Sequence, residues 1–484
     1  MEKNYLSSVV AIVLAAVLVL LGLYWLPAIN VGDWSMRKVD LLADVRNDSA
    51  LHLLDSISSV KMNGSSPAGM AKTDSASNLP VLEGSRLTRD KHGNVITVED
   101  SIINAKAEVT VTRSGITSII DLGDDTGRGN MTAFYQALAQ AAGRPVRIAV
   151  LGDSFIEGDI LTSKLRELLQ QRFGGCGVGY LPMTSITADF RRTVKQTFGG
   201  WTPHKAVDRS GYADTYNNIT GNYFNAGPGA WVMAKGIGNP YQHAASCTSS
   251  SFYFVSGTGS CYATAVVNGT DTTHFNLQSS SLIGHAVVQG DIKQVKWTVS
   301  NPGNMVFLGT SMDCDRGVIV DNLSLRASRG NHLSKITGSM MSAFNQVRHY
   351  DLVIIMYGLN IAGHNSSAYT AYCNTLTAAI NNIKNTMPGT SVLVVGCSDR
   401  EERTASGWKT MPGVLGLIQA QKRVAINSRV AFWDLYEAMG GEGSIVNMVR
   451  NGEANSDYTH ITHRGGDRIA RYLYDALMLG FETR

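Results

Sequence analysis

Four apolar runs in this chain have the length and composition of strands buried on both faces, and each is accompanied by a helix-like segment. They are VRIAVLG (146–152), DLVIIMYG (351–358), SVLVVGC (391–397) and RVAFWDL (429–435). Their helical partners are LTSKLRELLQQRF (161–173) and segments near 366–386, 413–425 and 464–480. Parallel neighbours need a long crossover, usually a helix, so this alternation implies an α/β fold: three α/β/α layers around a doubly wound, mostly parallel sheet. Ligands of such sheets bind at the carboxyl ends of the strands. The residues just after these runs are therefore the place to look for chemistry.

The first strand–helix unit is separated from the second by residues 184–315, rich in Gly, Ser, Thr, Asn and aromatics. Short β-like runs there (SFYFVSG, YATAVVNG, QVKWTVS, NMVFLGT) predict an inserted β-rich domain. Upstream, NVITVED and AEVTVTRSGITSII predict short strands within 81–128, and MTAFYQALAQAAG (131–143) a helix. At 484 residues the chain exceeds one ordinary core. The expected organisation is an anchor (1–30), a tether (31–80), the first part of the α/β domain (81–183), the insertion (184–315) and the remainder of the α/β domain (316–484).

The anchor rests on residues 6–26, LSSVVAIVLAAVLVLLGLYWL, an uncharged run. It matches the roughly 20 residues a helix needs to cross a bilayer core. The run ends in Tyr24, Trp25, Leu26 and Pro27 rather than a small-residue cleavage site. That predicts a single-pass membrane helix at the N-terminus rather than a cleaved signal peptide, with the bulk of the chain exported. Residues 59–80 are rich in Ser, Gly, Ala and Pro, which suits a flexible tether. A net charge of +3, from 42 basic and 39 acidic residues, points to no nucleic-acid partner. Six cysteines form no C-x-x-C pair, so neither a zinc ribbon nor a thioredoxin-type site is expected. Cys247 and Cys261 flank a β-like stretch and read either as a disulfide across a hairpin or as two separate thiols.

Three short motifs carry the chemistry. In IAVLGDSF, Ser154 follows the end of a buried strand, placed to face a cleft or to cap the next helix. In SDYTHITHRGG, Asp457 and His460 stand three apart before a helix. A carboxylate on one imidazole nitrogen fixes the tautomer and leaves the other free to accept a serine proton. His463 leaves a second reading open, a metal held by Asp457, His460 and His463. In MYGLNIAGHN, Gly358 and Asn360 end another strand, where the Asn amide can donate to a developing oxyanion.

The order GDS, Gly-x-Asn, Asp-x-x-His on one parallel sheet resembles blocks I, III and V of the SGNH (GDSL) hydrolases, a flavodoxin-like fold. GVIVDNLSLRASRGNHLSKI (317–336) is similar to block II, with Gly330 as its backbone donor. The resemblance spans about 146–180 and 317–480 and is strongest toward bacterial peptidoglycan O-acetylesterases, which carry a carbohydrate-binding-like β insertion between blocks I and II. Ile361, where many relatives carry Asp, turns it away from the lipase-like branches.

The resemblance implies a serine esterase: Ser154 as nucleophile, His460 as base, Asp457 as its orienting acid, and an oxyanion hole of Ser154, Gly330 and Asn360. It implies no cofactor and no metal. Its implied substrate is an O-acetylated cell-wall glycan. Two other readings use the same residues differently: a glycan O-acetyltransferase, and a non-catalytic cell-wall binding protein. In the insertion, Trp201, Tyr212, Tyr216, Tyr223 and Trp231 read either as sugar-stacking rings or as sandwich core.

Overall fold

The structure is a computed structural model in which residues 106–484 are described, apart from 113, 124–128, 209, 258–259, 364–367 and 484, with short pieces before them. Residues 1–76 and 77–484 form separate units. The expected anchor at 6–26 lies outside the described residues. So do the rest of 1–30 and the expected tether, apart from a strand pair at their boundary, Asn30–Val31 with Trp34–Ser35. Among the described residues, no helix is long and apolar enough to cross a membrane.

The four apolar runs form strands Pro145–Gly152, Leu352–Met356, Ser391–Val395 and Ala431–Trp433. A fifth parallel strand, Gly317–Ser324, lies at the edge beside Pro145–Gly152. Across the sheet the order is Gly317–Ser324, Pro145–Gly152, Leu352–Met356, Ser391–Val395, Ala431–Trp433, with Ile120–Asp121 antiparallel at the far edge. Taken by chain order, the parallel strands run 2-1-3-4-5, the flavodoxin-like arrangement. Its switch point falls between Pro145–Gly152 and Leu352–Met356. The register aligns Ser324 and Met356 with Gly152, so three loops leave the sheet side by side at its carboxyl edge.

The helices fall into two groups. Thr162–Phe173 packs on His463–Glu482, with Phe173 edge-on to Phe481 at 5.3 Å. Gly338–Arg348, Ala368–Thr386 and Pro412–Ser428 pack in succession. In His463–Glu482, Ile469, Leu473 and Leu477 recur every four residues and are buried, which sets the inward face. Among the described residues of 81–128, NVITVED supplies the strand Val95–Thr97, paired with Leu87–Arg89, while AEVTVTRSGITSII gives a bridge from Val111 to Thr117 and the short strand Ile120–Asp121. Ile116, Ile119 and Ile120 pack on the main core from largely irregular backbone.

The insertion is a nine-stranded antiparallel sheet that runs from Gly179–Pro182, ahead of the expected boundary, to Val306–Met312. Phe252 stacks on Trp297 at 5.3 Å in its core, and Trp201 meets Phe307 edge-on. Of the five aromatics noted in the sequence, Tyr223 is buried and Trp201 packs against this core. Cys176 and Cys314 form a disulfide across 138 residues, joining the entry and exit of the insertion. Cys247 and Cys261 are separate thiols. The strands beside them pair with different neighbours, so they do not face each other across a hairpin.

Insertion and main sheet meet on one cation. Arg348, fully buried at the end of Gly338–Arg348, donates to Asp313 just beyond the insertion's last strand. It also donates to Asp321 on the edge strand (2.6 Å) and to the hydroxyl of Tyr253 within the insertion (2.9 Å). Tyr350 donates to Asp321 (2.7 Å) and the Tyr180 N–H does the same (2.8 Å). Burial works to raise the Asp313 pKa, but Arg348 and Arg147 hold it below the usual carboxylate range. Removing one partner of such a group strands the others as uncompensated buried charge. Arg348→Ala is therefore expected to cost about 3–5 kcal/mol of stability, read from the denaturant midpoint; a change within 1 kcal/mol, about the value of an exposed pair, would contradict this.

Candidate active site

The nucleophile loop begins where Pro145–Gly152 ends. Asp153 is fully buried, and its Oδ1 accepts the Phe155 N–H at 3.0 Å, which tightens the turn and turns Ser154 outward. Ser154 Oγ lies 2.9 Å from His460 Nε2. His460 Nδ1 lies 2.7 Å from Asp457 Oδ2. The other Asp457 oxygen accepts the N–H groups of Thr459 and His460, each at 3.0 Å. Burial works to raise the Asp457 pKa, but these hydrogen bonds and the imidazole hold it below the usual carboxylate range. Asp457 thus stays ionised at neutral pH. An ionised acceptor keeps the proton on Nδ1 and leaves Nε2 to take the serine proton.

Asn360 lies in the loop after Leu352–Met356, across the switch point. Its Nδ2 donates to Asp153 Oδ2 and to the Ser328 carbonyl, both at 3.1 Å. That one amide joins the nucleophile turn, the block III loop and the block II loop. Gly358 makes the approach possible: a Cβ there would stand 2.8 Å from Cys397 Sγ. Asp153 has its pKa raised by burial, against the pull of the Phe155 and Gly358 N–H groups, the Asn360 amide and His460.

Gly330 sits in the third loop at φ +77°, against the ring of Tyr357. Its N–H donates to Ser328 Oγ at 3.0 Å, so it is turned inward to its own loop. The insertion braces this loop. Asn217 Nδ2 donates to the His332 carbonyl at 2.9 Å, and Gly221 packs on Leu325 and His332. Burial pushes His332 down to about 4, so it is neutral filler at physiological pH.

His463 does not converge with Asp457 and His460. Its Nε2 donates to the Phe190 carbonyl at 3.1 Å and its ring stacks on Phe190 at 4.5 Å. Among the described residues, no group of three or more His, Cys, Asp or Glu side chains is placed to hold a metal ion.

Sequence reasoning missed three contributors. Asp153 stands within GDSF, where the sequence gives no sign that its carboxyl is buried as a brace. Ser328, through its carbonyl and hydroxyl, organises Asn360 and Gly330. The third is a hairpin, Glu401–Thr404 with Gly407–Thr410, tied to both sides of the site. Arg400 Nη1 donates to the Leu359 carbonyl (3.0 Å), beside Asn360. The Glu401 N–H donates to the Tyr458 carbonyl (3.3 Å), between Asp457 and His460. The only available signal was the Ser406-Gly407 turn in EERTASGWKT.

The chain of Ser154, His460 and Asp457 at the switch point of a 2-1-3-4-5 sheet has the arrangement of a serine acyl-transfer site. No protein-family model matches the chain, and no curated protein does. Among solved structures it is similar to a peptidoglycan O-acetylesterase at 22% identity, covering 76% of this chain and 99% of that one with a TM-score of 0.62. A family two carbohydrate esterase from Cellvibrio japonicus is more distant, at 9% identity over 60% of this chain and 98% of that one, with a TM-score of 0.26. So is an acetyl xylan esterase, at 13% identity over 33% and 80%, with a TM-score of 0.26. The first likeness establishes the fold.

Residues that act as one unit give non-additive losses. Ser154→Ala and His460→Ala are each expected to lower kcat on p-nitrophenyl acetate by roughly 10⁴-fold or more, and the double variant by no further factor. Multiplicative losses in the double variant, at unchanged circular dichroism, would separate the two residues.

Proposed function

We propose that the protein is a serine esterase that removes O-acetyl groups from a cell-envelope glycan, peptidoglycan being the substrate class. The observation that carries the proposal is the unbroken chain from Ser154 Oγ through His460 to Asp457. Ser154 attacks the acetyl carbonyl carbon while its proton passes to His460 Nε2. The tetrahedral intermediate collapses, and His460 returns that proton to the departing sugar oxygen. Water then attacks the acetyl-serine with His460 again as base, releasing acetate and restoring Ser154.

The donors assigned to the oxyanion are the N–H of Ser154, the Asn360 amide and the N–H of Gly330. In the unliganded arrangement Asn360 is held by Asp153 and Ser328, and Gly330 by Ser328 Oγ. The developing negative charge competes for one Asn360 hydrogen and for the Gly330 hydrogen, so in this reading the block II turn rotates as substrate binds. Catalytic hydrogen bonds that are slack in the free enzyme commonly tighten in the complex.

The site is assigned to the extracytoplasmic side of the membrane, held there by residues 6–26. The Cys176–Cys314 disulfide supports that compartment, because such bonds persist where thiols oxidise. The substrate class is supported by the fold shared with a peptidoglycan O-acetylesterase.

The test is acetate release by the full chain from O-acetylated peptidoglycan. Release that is lost in Ser154→Ala is expected. Turnover of p-nitrophenyl acetate without release from any O-acetylated wall glycan would keep the esterase and overturn the glycan assignment.

A further inference from the structure

The hairpin beside the site projects one large apolar side chain. Trp408 stacks on Tyr458 with ring centroids 3.8 Å apart and planes 23° from parallel, yet stays 41% exposed. Among the described residues it is the one tryptophan in the set of exposed large hydrophobic side chains. Single exposed apolar residues are ordinary on protein surfaces. Three features set this one apart.

The first is rigidity. One face of the indole is covered by Tyr458, so its exposure lies on the opposite face and edge. Tyr458 has φ +53°, an uncommon conformation for a non-glycine residue, held between the two triad residues Asp457 and His460. The second is position. The hairpin bonds to the backbone beside Asn360 through Arg400, and to the backbone between Asp457 and His460 through Glu401. It therefore stands on the rim, joined to the oxyanion side and the triad side at once. The third is composition. In EERTASGWKT the indole is the only bulky apolar side chain. The base of the hairpin is fixed by polar groups instead: Thr410 Oγ1 donates to Asp399 (2.8 Å), and Asp399 accepts the Ile445 N–H (3.0 Å). The indole is thus not needed to bury the hairpin's base.

We infer that Trp408 is a carbohydrate-stacking subsite for the esterase. A pyranose presents a face of C–H groups that packs flat on an aromatic ring, and a ring already held in one orientation loses little entropy on binding. The subsite takes a sugar ring of the same glycan strand whose acetyl group lies at Ser154. It rests on the glycan reading above and adds where the polymer is gripped outside the reacting centre. Grip on a non-reacting part of the substrate matters for a polymer and is out of reach of a small ester.

The test compares full-length native chain, Trp408→Leu and Trp408→Phe on O-acetylated peptidoglycan and on p-nitrophenyl acetate. Leu keeps apolar cover over Tyr458 without a flat face, and Phe keeps a smaller flat face. Trp408→Leu is expected to lower kcat/KM on the polymer roughly tenfold more than on the small ester, through KM, with Phe recovering part of the loss. Equal losses on both substrates would make Trp408 a prop for the triad loop and overturn the subsite. Unchanged polymer turnover would also overturn it while leaving the glycan esterase standing. If the native chain turns over the small ester but no O-acetylated glycan, the glycan reading itself falls and the subsite with it.

Discussion

A single buried guanidinium, Arg348, determines how the two parts of the α/β–β assembly share one frame. Its donors reach Asp321 on the edge of the parallel sheet, Asp313 at the exit of the insertion and Tyr253 inside it. A planar fork with five donors suits such a junction, since it can satisfy two carboxylates in fixed directions at once. A hydrophobic contact of the same size would resist separation but would not set orientation. The junction matters for function because Asp321 lies on the strand that leads into the block II loop. The insertion presses on that same loop through Asn217 and Gly221. The Cys176–Cys314 disulfide closes the insertion at its base.

At the carboxyl edge the same logic recurs on a smaller scale. The Asp153 carboxyl is fully buried, and its partners are the turn that aims Ser154 and the amide of Asn360. Burial makes its charge costly, so it holds those donors strongly. Asn360 in turn holds Ser328, and Ser328 holds Gly330. The loops of blocks I, II and III are thereby one hydrogen-bonded unit. Asp457 and His460 reach Ser154 in this unit from a different part of the chain, through the loop that precedes His463–Glu482.

The parallel sheet was legible because strands buried on both faces must be continuously apolar, as the four runs are; the edge strand Gly317–Ser324, which carries Asp321 and Asn322, was not. Ser154, Asn360, Asp457 and His460 were legible because each follows such a strand or precedes a helix in a motif with a chemical purpose. What stayed hidden depends on contacts remote in sequence. AEVTVTRSGITSII alternates like a strand, but among its described residues it folds back on itself, Val111 bridging Thr117, and gives the main sheet a two-residue edge strand, Ile120–Asp121. The pairing of Cys176 with Cys314 follows from the insertion's two ends meeting, which no spacing announces. The direction of the Gly330 amide is set by the hydroxyl of Ser328. The place of Trp408 is set by two hydrogen bonds to backbone carbonyls, one from the Arg400 guanidinium and one from the Glu401 N–H.

If His460 draws the proton of Ser154, that serine is an activated nucleophile. The most direct measurement is covalent labelling by a fluorophosphonate, followed by digestion and mass mapping of the adduct. A single adduct on Ser154 is expected, forming much more slowly in His460→Ala. Labelling at another serine, or an equal rate on Ser154 without His460, would contradict this activation.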